Sequence, residues 1–311
     1  MTTAQTSMIS VAGLTKRYGT TVAVDDVSFD VSKGSIFGLL GTNGAGKTTT
    51  FKCLLGLAFP NAGEVRFDGE LLHPALFERL SYMPEKSALY DWMTGDDHLE
   101  LTKRSFRRYD AARAQALLDL FAFDPKKKVR QLSKGQQSAL ALTLAFSIRP
   151  DILVLDEPSS GLDPVHQRHV LDLMIDAAAG GATVLLSSHQ IGQVERAADH
   201  VAIMHKGKLL LTGDVEQLRA DEHVIEATFE GAAPLISGLD GDPHVRRVIR
   251  QGRLLRAYVR GGGNGVVEAI NNARPASVRV LNQNLEDIFL AAVGEDTAAI
   301  VGNGADHAER R

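Results

Sequence analysis

Eight residues constrain this chain more than any others. Gly41-Thr42-Asn43-Gly44-Ala45-Gly46-Lys47-Thr48 stand between IFGLLG (36–41), a compact apolar run that reads as a buried strand, and TTTFKCLLGL (48–57), whose apolar residues recur at helical spacing. Glycines at this spacing let successive backbone N–H groups turn toward one point. The helix that follows adds the positive end of its dipole. A lysine and a hydroxyl at the last two positions then match a phosphate cradle, with Lys47 reaching β- and γ-phosphates and Thr48 ligating Mg²⁺.

A second run, Ile152-Leu153-Val154-Leu155-Asp156-Glu157-Pro158, reads as a buried strand with two carboxylates at its end. Open α/β sheets bind ligands at that end. There Asp156 is placed to hold Mg²⁺ through water, and Glu157 to polarise an attacking water as general base. Around these two runs, strand patterns alternate with helical ones. Strands are expected at 182–189 and within 10–32, a hairpin at 64–72 around Asp68-Gly69, and another at 201–213 around Lys206-Gly207. Helical patterning fills 84–149, including 111–121 and 135–148, and returns at 165–181. Such alternation implies parallel βαβ units and an α/β fold.

With both motifs in place, residues 8–220 resemble the ATP-binding cassette (ABC) ATPase family. Leu132-Ser133-Lys134-Gly135-Gln136-Gln137 is similar to the family signature LSGGQ, at a helix start before the Asp-Glu strand. Ser160-Gly161-Leu162-Asp163 resembles the D-loop, and His189 stands where the family carries its switch histidine. The resemblance implies a P-loop NTPase core with a β subdomain and a helical subdomain at about 86–149. It implies ATP contacts from Tyr18, Gly41, Asn43, Gly44, Ala45, Gly46, Lys47, Thr48 and Thr49 on one side, and from Ser133, Gly135 and Gln136 on the other. Tyr18 would stack on adenine, His189 would hold γ-phosphate and water, and Asp163 would contact a partner across an interface. Because the family's signature binds the γ-phosphate held by another subunit, a chain with one phosphate loop is expected to dimerise, with a second copy as partner.

Two positions depart from the family. Lys134 replaces the first glycine of the signature pair, and Glu85, in Tyr82-Met83-Pro84-Glu85, stands where the metal-linked glutamine is expected. A carboxylate can take that role toward Mg²⁺ or water.

The 311 residues are expected to hold more than the cassette: residues 221–295 read as a small α+β appendage, and 296–311, rich in Gly, Ala and charge, as a disordered tail. Asn284-Leu285-Glu286-Asp287-Ile288-Phe289-Leu290 resembles an element near the C-terminus of ABC-2 type exporter ATPases, whose permeases are encoded separately. A net charge of -4 disfavours nucleic acid as the main partner, and with it the alternative of an ABC ATPase acting on nucleic acid or ribosomes. One cysteine, Cys53, excludes an intrachain disulfide scaffold. No secretory signal and no run of about 18 apolar residues is found, so the chain is expected on the cytoplasmic face of a membrane, beside an integral permease. Leu89, Tyr90, Trp92 and Met93 are the expected contact with that permease.

Overall fold

The computed structural model describes residues 7–86, 88–261 and 263–293. It divides into two compact units between Thr212 and Gly213.

The first unit is built on two sheets. Strands β1 (Ser7–Tyr18) and β2 (Thr21–Ser32) pair antiparallel, and β1 pairs antiparallel with β4 (Ala62–Phe67), giving the order β2-β1-β4-β5 with the short β5 (Glu70–Leu71). Phe67 pairs with Glu70 across the expected Asp68-Gly69 turn. The second sheet has six strands in the order β10-β9-β3-β8-β7-β6. In it, β3 (Ile36–Gly41) lies parallel to β8 (Thr183–Ser188) and β9 (His200–His205), and β7 (Ile152–Asp156) lies parallel to β8 and β6 (Leu80–Met83). Every residue of β3, β7 and β8 is buried. That is why these runs are apolar throughout rather than alternating. β10 (Lys208–Asp214) turns back from β9 at Lys206 and Gly207, both at positive φ.

One apolar core joins the sheets through α1 (Lys47–Leu54). Phe51 and Leu54 of α1 share a cluster with Val27, Phe29 and Val31 of β2 and with Phe37, Ile152 and Val154 of the central sheet. The Phe29 and Phe37 rings stack at 5.1 Å. Three further helices, α2 (Gly95–Ser105), α3 (Ala111–Phe121) and α4 (Lys134–Ser147), make up the helical part. Each begins at a side chain that accepts from the first turn: Thr94 from the Asp97 amide, Asp110 from Arg113, Ser133 from Gln136. Asp163 caps α5 (Pro164–Ala179) in the same way, accepting from the Val165 and His166 amides. A shorter helix, α6 (Ile191–Ala197), precedes β9.

Helical patterning from residue 84 overstates the helix: none begins before Gly95, and β6 and α6 carry too few residues to show a period.

In the second unit, α7 (Val215–Asp221) leads into β11 (Glu222–Thr228). A four-stranded antiparallel sheet follows in the order β12-β13-β11-β14, from β12 (Val245–Gln251), β13 (Leu254–Arg260) and β14 (Ser277–Asn282). β12, rich in arginine, is not evident in the sequence pattern. Helix α8 (Asn264–Asn272) covers one face, where Val266 and Ile270 meet Ile225, Ala227, Leu255, Ala257 and Val259. A last helix, α9, spans 285–293 and buries Leu285, Ile288 and Phe289. The stretch 296–311, expected to be a disordered tail, lies outside the described residues, as does Gly294.

Candidate active site

The loop between β3 and α1 opens onto a cavity of about 400 Å³, lined by Asn43 to Thr49 together with Thr21, Ala23, Glu85 and Glu157. Its helix starts differently from the capped ones. Gly46 occupies the cap position and supplies no side-chain acceptor. The first amides of α1, on Lys47, Thr48 and Thr49, have no helical turn before them and stay available as donors. Gly46 is held at φ 109°, and a Cβ there would lie 2.4 Å from the Ala23 carbonyl oxygen, so only glycine can close this loop.

Lys47 is 6% exposed. Its Nζ donates to the Gly41 carbonyl at 2.8 Å and lies 3.3 Å from Glu157 Oε1. The other Glu157 oxygen, Oε2, is 2.8 Å from His189 Nδ1. Glu157 itself is buried and adopts φ 52°, a conformation that costs energy in a residue with a Cβ. Its amide donates to Ser187, to the carbonyl at 3.2 Å and to Oγ at 3.1 Å. The same Ser187 hydroxyl donates to Asp156 Oδ1 at 2.5 Å. One serine on β8 therefore holds the Asp156 carboxylate and the Glu157 backbone at the end of β7. The sequence carries only part of this signal: the hydroxyls that end the buried strand TVLLSS need partners, but nothing in it names them.

Asp156 is fully buried, and its Oδ2 has no hydrogen-bond partner among the described residues. A buried carboxylate oxygen without a donor is costly unless a cation meets it. Strand alternation puts Asp156 on the α1 side of the sheet, the side of Ile152 and Val154. Thr48, in the first turn of α1, and Glu85, which is exposed, line the phosphate-loop cavity. Asp156, Thr48 and Glu85 supply only oxygens, the donor set that suits Mg²⁺. The free amides and Lys47 suit a triphosphate.

The signature residues lie elsewhere. Ser133, Lys134, Gly135 and Gln136 line a second cavity of about 400 Å³ with Gly161, Asp163 and His166. Ser133 accepts from the Gln136 amide at 3.2 Å, while Gln136 Oε1 accepts from the Ser133 amide at 3.0 Å. A Cβ on Gly135 would lie 2.9 Å from the Gly161 carbonyl oxygen, so this position requires glycine. Lys134, at the first helical position, leaves its side chain exposed. The His166 ring sits 2.5 Å from Asp163 Oδ2, and hydrogen bonding from the His166 amide and ring holds the Asp163 carboxyl below its ordinary range. No residue lines both cavities. The structure thus brings together Asn43 to Thr49, Glu85, Glu157 and His189, and separately Ser133, Gly135, Gln136 and Asp163.

Tyr18 lines neither cavity. It ends β1, half exposed, with Lys16 Nζ 5.0 Å from its ring centroid, although its strand partner Thr21 lines the phosphate-loop cavity.

Residues 24–160 match the family model described as ABC transporter. The Nod factor export ATP-binding protein I of Ralstonia nicotianae is 33% identical over 309 residues, covering 94% of this chain and 95% of that protein. This chain belongs to the ABC transporter ATP-binding proteins. The daunorubicin resistance ATP-binding protein DrrA3 of Streptomyces coeruleorubidus is also 33% identical to this ABC protein, covering 93% of it and 96% of its own length. A solved ATP-binding subunit of an ABC transporter superposes on 69% of this chain and 92% of its own, with 31% identity and a TM-score of 0.64. The chain is an ABC ATPase with the family's α/β cassette fold.

Proposed function

We propose that this ABC ATPase closes as a homodimer around two ATP molecules with Mg²⁺ and drives a separate membrane permease that exports its substrate. One observation carries the reading: the phosphate-loop cavity and the signature cavity share no residue. Each offers helix-start amides to an anion, and two copies facing each other would supply both halves twice.

The residues divide the work. The amides of α1 and the loop take the phosphates. Lys47 exchanges its contacts with Gly41 and Glu157 for the β- and γ-oxygens. Asp156, Thr48 and Glu85 hold the cation, which when bound neutralises phosphate charge. Once Lys47 turns to phosphate, Glu157 Oε1 is free to accept a proton from water, while His189 keeps hold of Oε2. From the partner, Ser133 and Gly135 close over the γ-phosphate, and Asp163 reaches across the interface.

Export rests on the relatives, two of which carry export or drug resistance in their names. No described helix is long and apolar enough to cross a membrane. In this reading the permease is a separate partner of the cassette. Tyr90 and Trp92, 54% and 68% exposed, are the proposed contact, at the cytoplasmic face. They sit beside a groove of about 280 Å³ lined by Leu89, Tyr90, Leu101 and Leu144.

Glu157→Gln tests the mechanism. It should bind ATP, lose turnover by about 10²–10⁴-fold, and elute as a dimer with ATP and Mg²⁺ in size-exclusion chromatography. Unchanged hydrolysis would remove Glu157 from the role of base.

A further inference from the structure

Two buried polar atoms at the ends of adjacent strands lack hydrogen-bond partners among the described residues: Asp156 Oδ2 on β7 and the Tyr82 hydroxyl on β6. Their placement is not independent. β6 and β7 run parallel with Tyr82 opposite Val154, and Asp156 follows two residues later on the same face, about 7 Å further along the strand. The Tyr82 ring packs against the core cluster that contains Val154 and Phe51 of α1, so it lies on the side of the sheet where α1 begins. Burial pushes the phenol above its ordinary value, and the nearby carboxylates of Asp156 and Glu85 act on it in the same direction. A phenol keeps its proton at neutral pH and is therefore a donor. It makes no hydrogen bond to either carboxylate. Two buried polar atoms left without partners on one face of adjacent strands call for a bridging group.

We propose that Tyr82 is a positioning residue of the metal site, its hydroxyl donating to a water in the coordination shell of the divalent cation held by Asp156. The inference rests on the reading of Asp156 as a metal-holding residue. Outer partners of this kind fix the orientation of the inner ligands, and losing one typically lowers metal affinity about 10–100-fold. Phenylalanine keeps the ring in the core and removes only the hydroxyl.

The test uses the full chain, a non-hydrolysable ATP analogue and Mn²⁺ as the spin probe, with free Mn²⁺ read by electron paramagnetic resonance. Tyr82→Phe should weaken Mn²⁺ binding about 10–100-fold. Analogue affinity in EDTA and the thermal midpoint should stay at wild-type values, which a packing role would not allow. Unchanged Mn²⁺ affinity overturns the proposal, as does an equal loss of metal-free nucleotide binding. Asp156→Asn separates the two readings. If it weakens Mn²⁺ binding while Tyr82→Phe does not, only the Tyr82 role fails; if neither does, the metal site fails with it.

Discussion

Gly46 shows how narrowly a single backbone position can be set. It combines φ 109° with a Cβ direction that points into the Ala23 carbonyl at 2.4 Å. Alanine there must distort the loop or the start of α1, at a cost of about 1–3 kcal/mol. Gly46→Ala should therefore lower ATP affinity about 5–150-fold in fluorescence titration, since each 1.4 kcal/mol is tenfold. Wild-type affinity would show that the loop does not need this conformation. The glycine was legible, because glycine at that spacing has a reason that other residues cannot meet. What surrounds Glu157 was not. Its left-handed φ of 52°, its pairing with Lys47 and its anchoring by Ser187 join residues from β7, α1 and β8 that are far apart in sequence. Spacing along one strand carries no record of such contacts. The same holds for the orphaned oxygens of Asp156 and Tyr82.

Helices and strands with long periods or strong caps were readable, and short ones were not. α4 is announced by Ser133 and by Gln136 three residues on, and the structure forms that reciprocal cap. The four residues of β6 and the irregular stretch before Gly95 give periodicity nothing to act on, yet they position Tyr82, Glu85 and the aromatic pair. The Tyr90 and Trp92 ring centroids lie 5.9 Å apart, and both side chains stay more than half exposed while Tyr90 also stacks on His98. If the pair meets a permease, Tyr90→Glu with Trp92→Glu should abolish co-sedimentation with membrane vesicles from the source cell. Basal hydrolysis in detergent-free buffer should stay within about twofold, because surface changes of this kind rarely cost stability. Retained co-sedimentation would move the contact elsewhere.

At the scale of the whole molecule, the separation of the two cavities becomes a statement about stoichiometry. A single chain holds a phosphate loop with Lys47 and Glu157 on one cavity and a signature with Ser133 on the other, with no shared lining residue. If a nucleotide needs one half from each of two chains, damage to different halves must complement. Lys47→Ala removes the loop half, and Ser133→Arg blocks the signature half. Each variant alone should be inactive, since every composite site then carries one damaged half. In an equimolar mixture, half of the dimers pair one variant with the other. Such a dimer has one site with both halves damaged and one site intact. A two-fold symmetric pairing at random thus restores about a quarter of the wild-type sites. Phosphate release from the mixture should exceed the sum of the separate variants and rise more steeply than linearly with chain concentration. A mixture no more active than its parts would mean that one chain completes its own site, and the dimer would lose its reason.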